Sequence, residues 1–150
     1  MNIVSLVISL ISLGISIANF VMYVILTKKY NSMVKIQTLT AQGSFETQIR
    51  SAIFDATKNL NHYAIELSHD PDNEILQSAY FAAEEQYRNT YEDACAKYID
   101  DKIDKQRFEK MYKQEINKLV NDPQQKEFYA TNQTTYSSTV AVWKEWFGQP

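Results

Sequence analysis

The sequence predicts an all-α protein: one N-terminal transmembrane helix forming a parallel homo-oligomeric bundle, followed by a small cytoplasmic helical domain. Three observations predict it. No charged side chain interrupts the 24 residues from Ile3 to Leu26. Downstream, apolar residues recur at helical rather than strand spacing. Only three glycines, Gly14, Gly43 and Gly148, punctuate the chain.

The first element is the span itself, residues 1–29. At about 1.5 Å per residue its uncharged stretch covers the roughly 30 Å of a hydrocarbon core. It carries no leading Lys or Arg and ends at Lys28-Lys29. A cleaved secretory signal has the opposite charge arrangement and a shorter apolar core, so the expectation is an anchor that stays. Lys28 and Lys29, backed by Lys35 and Arg50, put the positive flank on the C-terminal side. The positive-inside rule then places the N-terminus outside and the rest in the cytoplasm of a bacterial inner (plasma) membrane, with Tyr23 and Tyr30 bracketing the interface.

Residues 30–43 form a juxtamembrane extension, in which Tyr30, Met33, Val34, Ile36 and Leu39 continue helical spacing. Gln42-Gly43-Ser44 then offers a break and a fresh N-cap. The domain from 44 to 150 opens with a helix whose face carries Phe45, Ile49, Ile53, Leu60, Tyr63 and Leu67, stopping at His69-Asp70-Pro71-Asp72-Asn73. A long helix follows, with Leu76, Tyr80, Ala83, Tyr87, Tyr91, Ala94 and Tyr98 in phase almost to Asp100. Asp104 caps a further helix bearing Phe108, Met111, Tyr112, Ile116 and Leu119. Asp122-Pro123 reads as N-cap and first helical residue of a short segment with Phe128 and Tyr129. Thr134 or Thr135 starts the last helix, where Tyr136, Val140, Trp143 and Phe147 share a face and Gly148 lies just past the end.

Composition narrows the function. All 18 acidic residues follow residue 45 and 13 of the 15 basic residues follow residue 30, so the part beyond the membrane carries a net charge of −5. That excludes a general nucleic-acid surface. The roughly 120 residues remaining suffice for one modest core. The single Cys95 permits no intrachain disulfide, in keeping with a reducing compartment, and reads as a small core residue.

The most informative pattern lies in the span. Its polar residues Asn2, Ser5, Ser9, Ser12, Ser16, Asn19 and Tyr23 are spaced 3, 4, 3, 4, 3, 4 without exception. Taking Asn2 as position a, they fill consecutive a and d places of a heptad. Free scattering would yield this on the order of one time in a hundred, so the stripe needs a cause. A strict seven-residue period keeps one face toward a supercoil axis, which predicts a left-handed parallel bundle of identical helices. Two readings of the axis follow. Small residues can let two or three helices pack closely, with Asn19 setting register. Alternatively four or more helices surround a hydroxyl-lined pore, with Lys28 and Lys29 charging its inner mouth and biasing it toward anions. Flanking Val, Ile and Leu side chains could then rotate inward and close it by dewetting.

Other constellations are weaker. His62, Glu66 and His69 lack a convincing third or fourth ligand and read as a solvated helix end, so no metal is assigned. Asp100-Asp101-Lys102-Ile103-Asp104 lacks the Gly and terminal Glu of a calcium loop. Tyr80, Tyr87, Tyr91 and Tyr98 form one stripe with Arg88 beside it. Such a stripe ordinarily packs a core, and next to Arg it is also a candidate ligand stripe for a nucleotide or short oligonucleotide. Trp143, Trp146 and Phe147 read as a docking face. No phosphate loop, catalytic triad or paired carboxylates can be assembled, so the reading is not an enzyme and involves no cofactor.

The layout, with Lys28-Lys29 at the boundary, the polar stripe from Ser5 to Asn19 and the segment Lys97–Phe108 (KYIDDKIDKQRF), resembles the small single-pass membrane effectors of bacterial anti-phage defence. Hailong-type channel effectors are the first comparison and type III CRISPR membrane effectors the second. The resemblance implies an oligomeric channel, shut until infection and then opened to depolarise the inner membrane. Its partner would be a nucleotide or oligonucleotide signal, or the enzyme that makes it. The competing expectation, from another class, is a non-conducting membrane-anchored scaffold whose aromatic C-terminal helix binds a cytoplasmic partner.

Overall fold

The computed structural model describes residues 2–130 and 134–148. Its elements are α1 (Ile3–His69), α2 (Glu74–Ile99), α3 (Lys105–Asn121), α4 (Lys126–Tyr129) and α5 (Ser137–Phe147), with no strand among the described residues. The expected break at Gln42-Gly43-Ser44 does not occur, because α1 runs straight through it. A single interior glycine costs a helix only about 1 kcal/mol relative to Ala, and no proline precedes Pro71. The Thr47 hydroxyl donates to the Gly43 carbonyl at 2.9 Å, so the local side chain reinforces the turn rather than capping a new helix.

The chain divides into two units, Met1–Thr40 and Ala41–Pro150. The first is the N-terminal stretch of α1. It contains an 18-residue window of mean hydropathy 2.2, long and apolar enough to cross a membrane. Every residue from 3 to 23 is exposed. A continuous apolar cylinder of this kind is not a stable surface in water, so lipid or other helices must cover it.

The second unit packs the remainder of α1 with α2 to α5. Its core joins Ile49 and Ile53 of α1 to Tyr91, Ala94, Cys95 and Tyr98 of α2. Ile103, Phe108, Ile116 and Leu119 come from the α3 region, and Tyr129, Tyr136 and Val142 from the C-terminal part. α5 lies mainly against α2 and α3. Asn73, the last residue of the polar turn, caps α2, its side chain accepting from the Ile75 and Leu76 N–H groups at 3.1 and 3.2 Å. Asp104 caps α3, accepting from the Arg107 N–H at 3.0 Å. Glu46 ties α1 to that same helix start: its carboxylate accepts from the Asp104 N–H at 3.1 Å and sits 3.3 Å from the Arg107 guanidinium.

Two helix starts differ from expectation. Asp122 closes α3 instead of opening the next helix. Its carboxylate accepts from the Gln124 N–H at 2.8 Å, holding a turn, and α4 begins only at Lys126. Thr134 accepts from the Tyr136 N–H at 3.0 Å but sits outside α5, which starts at Ser137 with no side-chain cap from its own flank. The cap comes from Glu92 on α2, which receives the Ser138 and Thr139 N–H groups, each at 2.8 Å. Gly148 ends α5 as expected, and for a steric reason: a Cβ there would lie 2.3 Å from the Lys144 carbonyl oxygen.

Candidate functional site

Six of the seven stripe residues lie on α1 and Asn2 directly precedes it; all seven are exposed, Tyr23 at 68%. Their spacing puts them on one face of the helix. The Ser5 hydroxyl donates to the Asn2 carbonyl at 2.7 Å and the Ser9 hydroxyl to the Ser5 carbonyl at 2.9 Å. A serine that donates back to its own helix spends its proton there and presents oxygen lone pairs outward. At Ser5 and Ser9 the face therefore offers acceptors without unsatisfied hydroxyl donors. Asn19 differs, because its amide carries two donors that no partner takes up among the described residues. In an apolar slab that amide needs a neighbouring helix or water. Lys28 and Lys29 are exposed on the same helix.

The tyrosine stripe is placed otherwise. Tyr91 and Tyr98 are buried, as is Arg88. Tyr91 meets Tyr87 and Tyr112 edge-on at 5.1 and 6.3 Å. The Tyr98 hydroxyl donates to Glu145 at 2.7 Å and accepts from the Trp146 indole at 3.1 Å. Burial and that Glu145 bond push its pKa up to about 12. Desolvation raises Tyr91 further still.

Arg88 is a structural hub. Its guanidinium donates to the Gln125 side-chain Oε1 at 2.7 Å and the Tyr136 hydroxyl at 3.3 Å, lies 4.0 Å over the Phe128 ring and stands 4.0 Å from Glu84. Gln125 in turn donates to Glu84 at 2.9 Å. The Nε and one terminal nitrogen of the fork are thus engaged by Glu84, Gln125 and Tyr136, with Phe128 under its plane, so Arg88 ties α2 to the chain around α4 and to Tyr136.

Tyr80 and Tyr87 alone of the stripe line an open groove, together with Leu60, Glu84, Glu115, Lys118 and Asp122. Three carboxylates face one ammonium there, an unfavourable setting for phosphates. The C-terminal aromatics dock on their own domain: the Trp143 indole donates to Asn117 at 3.0 Å, and Trp146 is half-buried beside Phe108. Among the described residues no cluster of three His, Cys, Asp or Glu side chains could hold a metal, and His62, Glu66 and His69 lie exposed near the end of α1.

Cys95 is fully buried, and desolvation pushes its thiol up to about 12 despite a lowering contact from Thr139. That makes it a packing residue with little thiolate at neutral pH. Glu92 and Gln125 are the residues that sequence reading did not single out, and it places Tyr136 only on the face of the last helix. Their roles come from contacts 37 to 48 residues away, for which a local pattern carries no signal. The chain matches no protein-family model, no curated protein and no solved structure.

Proposed function

We propose that the chain is a homo-oligomeric ion channel or pore of a bacterial inner membrane, with four or more α1 helices turning Ser5, Ser9, Ser12, Ser16 and Asn19 toward a shared axis. One observation carries this reading: an unbroken 3-4 polar stripe runs along an exposed helix whose other residues over that stretch are Val, Ile, Leu, Phe and Met apart from Gly14 and Ala18. Close packing of two helices needs only two or three small positions, whereas this stripe continues through the whole membrane depth. Uncharged hydroxyl and amide rings pass ions with weak charge selection, and Lys28 and Lys29 favour anions at the cytoplasmic mouth. The helical domain assembles the bundle and gates it through small rotations of α1.

In the cell the protein acts as an anti-phage effector that depolarises the membrane. Its trigger is a nucleotide or oligonucleotide signal or the enzyme that makes it. The acidic groove around Tyr80 and Tyr87 favours contact with the enzyme.

The back-bonded serines favour a second reading. Because Ser5 and Ser9 satisfy their own donors, the same seam can close dry in a dimer or trimer, leaving a non-conducting anchored scaffold. Purified full-length protein in a planar bilayer, with oligomer mass measured on the same sample, separates the two. Discrete conductance from a species of four or more subunits supports the pore, and a silent dimer or trimer supports the scaffold.

A further inference from the structure

Within the second unit α1 has two opposite faces. Ile49, Ile53 and Ala56 are buried in the domain, with Leu60, Tyr63 and Leu67 half-buried on the same side. On the other side Ser44, Thr47, Ser51 and Phe54 are all exposed, Phe54 at 67%. These four are not arbitrary positions. Counting in sevens along the sequence from Asn2 makes Ser44 and Ser51 a positions and Thr47 and Phe54 d positions. No loop intervenes to reset that count, since α1 is a single helix from Ile3 to His69.

The flanking charges agree with this register. Arg50 falls at g and Asp55 at e. In a parallel bundle, position g of one helix faces position e of the next heptad on its neighbour, five residues further on. Arg50 and Asp55 are that pair. An antiparallel arrangement would set g against g and e against e, and so like charge against like. Within the chain neither residue joins an ion pair among the described residues. Arg50 reaches the Met111 sulfur at 4.0 Å with Tyr112 beside it, and Asp55 accepts from the Ser51 hydroxyl at 3.4 Å.

We propose that this face of α1 receives a second copy of the chain, parallel and in register, with Ser44, Thr47, Ser51 and Phe54 against their counterparts and an ion pair between Arg50 of one copy and Asp55 of the next. The proposal rests on the homo-oligomer inferred above and extends its contact beyond the membrane into the helical domain. The small Ser44, Thr47 and Ser51 allow close approach, the exposed Phe54 gains apolar cover, and the charge pair fixes direction.

The test is disulfide trapping of full-length protein in isolated membranes, oxidised with copper phenanthroline, using Ser51→Cys, Ser5→Cys and, as an off-face control, the exposed Asn59→Cys. Ser51→Cys should convert most of the protein to a covalent dimer, at several-fold higher yield than Asn59→Cys. No trapping at Ser51, or equal trapping at Ser51 and Asn59, overturns the proposal. If Ser5→Cys still traps in that case, the membrane seam survives and only this interface falls; if neither traps, both readings fall. In the Ser51→Cys background, Arg50→Asp should cut trapping several-fold and adding Asp55→Arg should restore it. A double variant that traps no better than Arg50→Asp overturns the parallel register.

Discussion

The carboxylate of Glu92, midway along α2, receives both the backbone N–H and the hydroxyl of Thr139 on α5, at 2.8 and 2.9 Å. Thr139 is fully buried, and Glu92 also takes the Ser138 N–H at 2.8 Å, so one side chain supplies the cap that α5 lacks from its own sequence. Glu92→Ala would strand three donors at a helix start, two of them on a residue shut off from water. The expected loss is about 2–3 kcal/mol, the cost of unpaired buried groups added to loss of a charged cap. Trp143 and Trp146 lie on α5, so denaturant titration followed by their fluorescence reads this change directly. A midpoint unchanged from wild type would show that α5 is held by packing alone.

Tyr129 presents the opposite situation. Its ring is buried and its hydroxyl has no hydrogen-bond partner among the described residues. An unpaired buried hydroxyl costs about 1–3 kcal/mol. Tyr129→Phe keeps the ring contacts with Tyr136, 5.3 Å away, and removes the stranded group. The variant should be as stable as wild type or more stable by about 1 kcal/mol. The same fluorescence titration checks it, and a clear loss of stability would mean that the hydroxyl is paired after all.

How far the sequence reveals this architecture depends on whether a signal is local. The turn at Asp70-Pro71-Asp72, the Asn73 and Asp104 caps and the core faces of α2 and α3 follow from spacing and capping chemistry that neighbours within a few residues determine. Gly43 misleads for the same reason, since one glycine is a weak breaker and nothing else in its vicinity ends a helix. Arg88 shows at the candidate site what a local pattern leaves out. Beside tyrosines in sequence it resembles a ligand grip, yet its partners Gln125, Phe128 and Tyr136 arrive from the far end of the chain. The polar stripe is legible because it is periodic. What it faces is not, because identical chains share one sequence and their contacts leave no second pattern to compare.

The end of α2 predicts a stabilising substitution. Asp101 adopts φ 56°, and the Lys102 N–H donates to the Lys97 carbonyl while the Asp101 N–H donates to that of Tyr98, at 3.0 and 3.2 Å. This paired geometry at a helix C-terminus favours glycine at the left-handed position. Asp101→Gly should relieve about 1 kcal/mol of backbone strain, less a few tenths for the exposed pair with Lys105. Thermal unfolding of the full-length protein in detergent should move upward by a few degrees. A fall would assign Asp101 a contact that outweighs its backbone.

Cys95 sets a pH limit on the domain. Its thiol is raised from an ordinary value of 9.0 to about 12 in the folded state, so the folded chain holds the proton more tightly than the unfolded one. The associated stability is complete below pH 9 and is lost as pH rises from 9 toward 12, at up to about 1.4 kcal/mol per pH unit. Tyr98 shifts in the same direction. Denaturation midpoints should be flat from pH 7 to 8.5 and fall above 9, with a shallower fall in Cys95→Ala. Native protein should also resist iodoacetamide at pH 8 and react only after unfolding. Rapid alkylation of the native state would contradict the burial that underlies both expectations.

Ser9→Leu combined with Ser16→Leu tests what the stripe faces. Both residues occupy a positions one heptad apart, and both are exposed on α1. Replacing two hydroxymethyl side chains by isobutyl groups makes the span more apolar, so insertion should be preserved or improved. If these positions ring a water-filled axis, two added layers of leucine narrow it and remove its polar lining, and a dewetted constriction blocks ions without any change in fold. Single-channel currents should therefore disappear while membrane fractionation and oligomer mass stay unchanged. A dry packing seam predicts another pattern: leucine is too large for a close small-residue contact, so oligomer mass should fall. Currents that persist at wild-type amplitude in a correctly inserted oligomer would place the conduction path on some other face of α1, and Asn19 would then be the first residue to reassign.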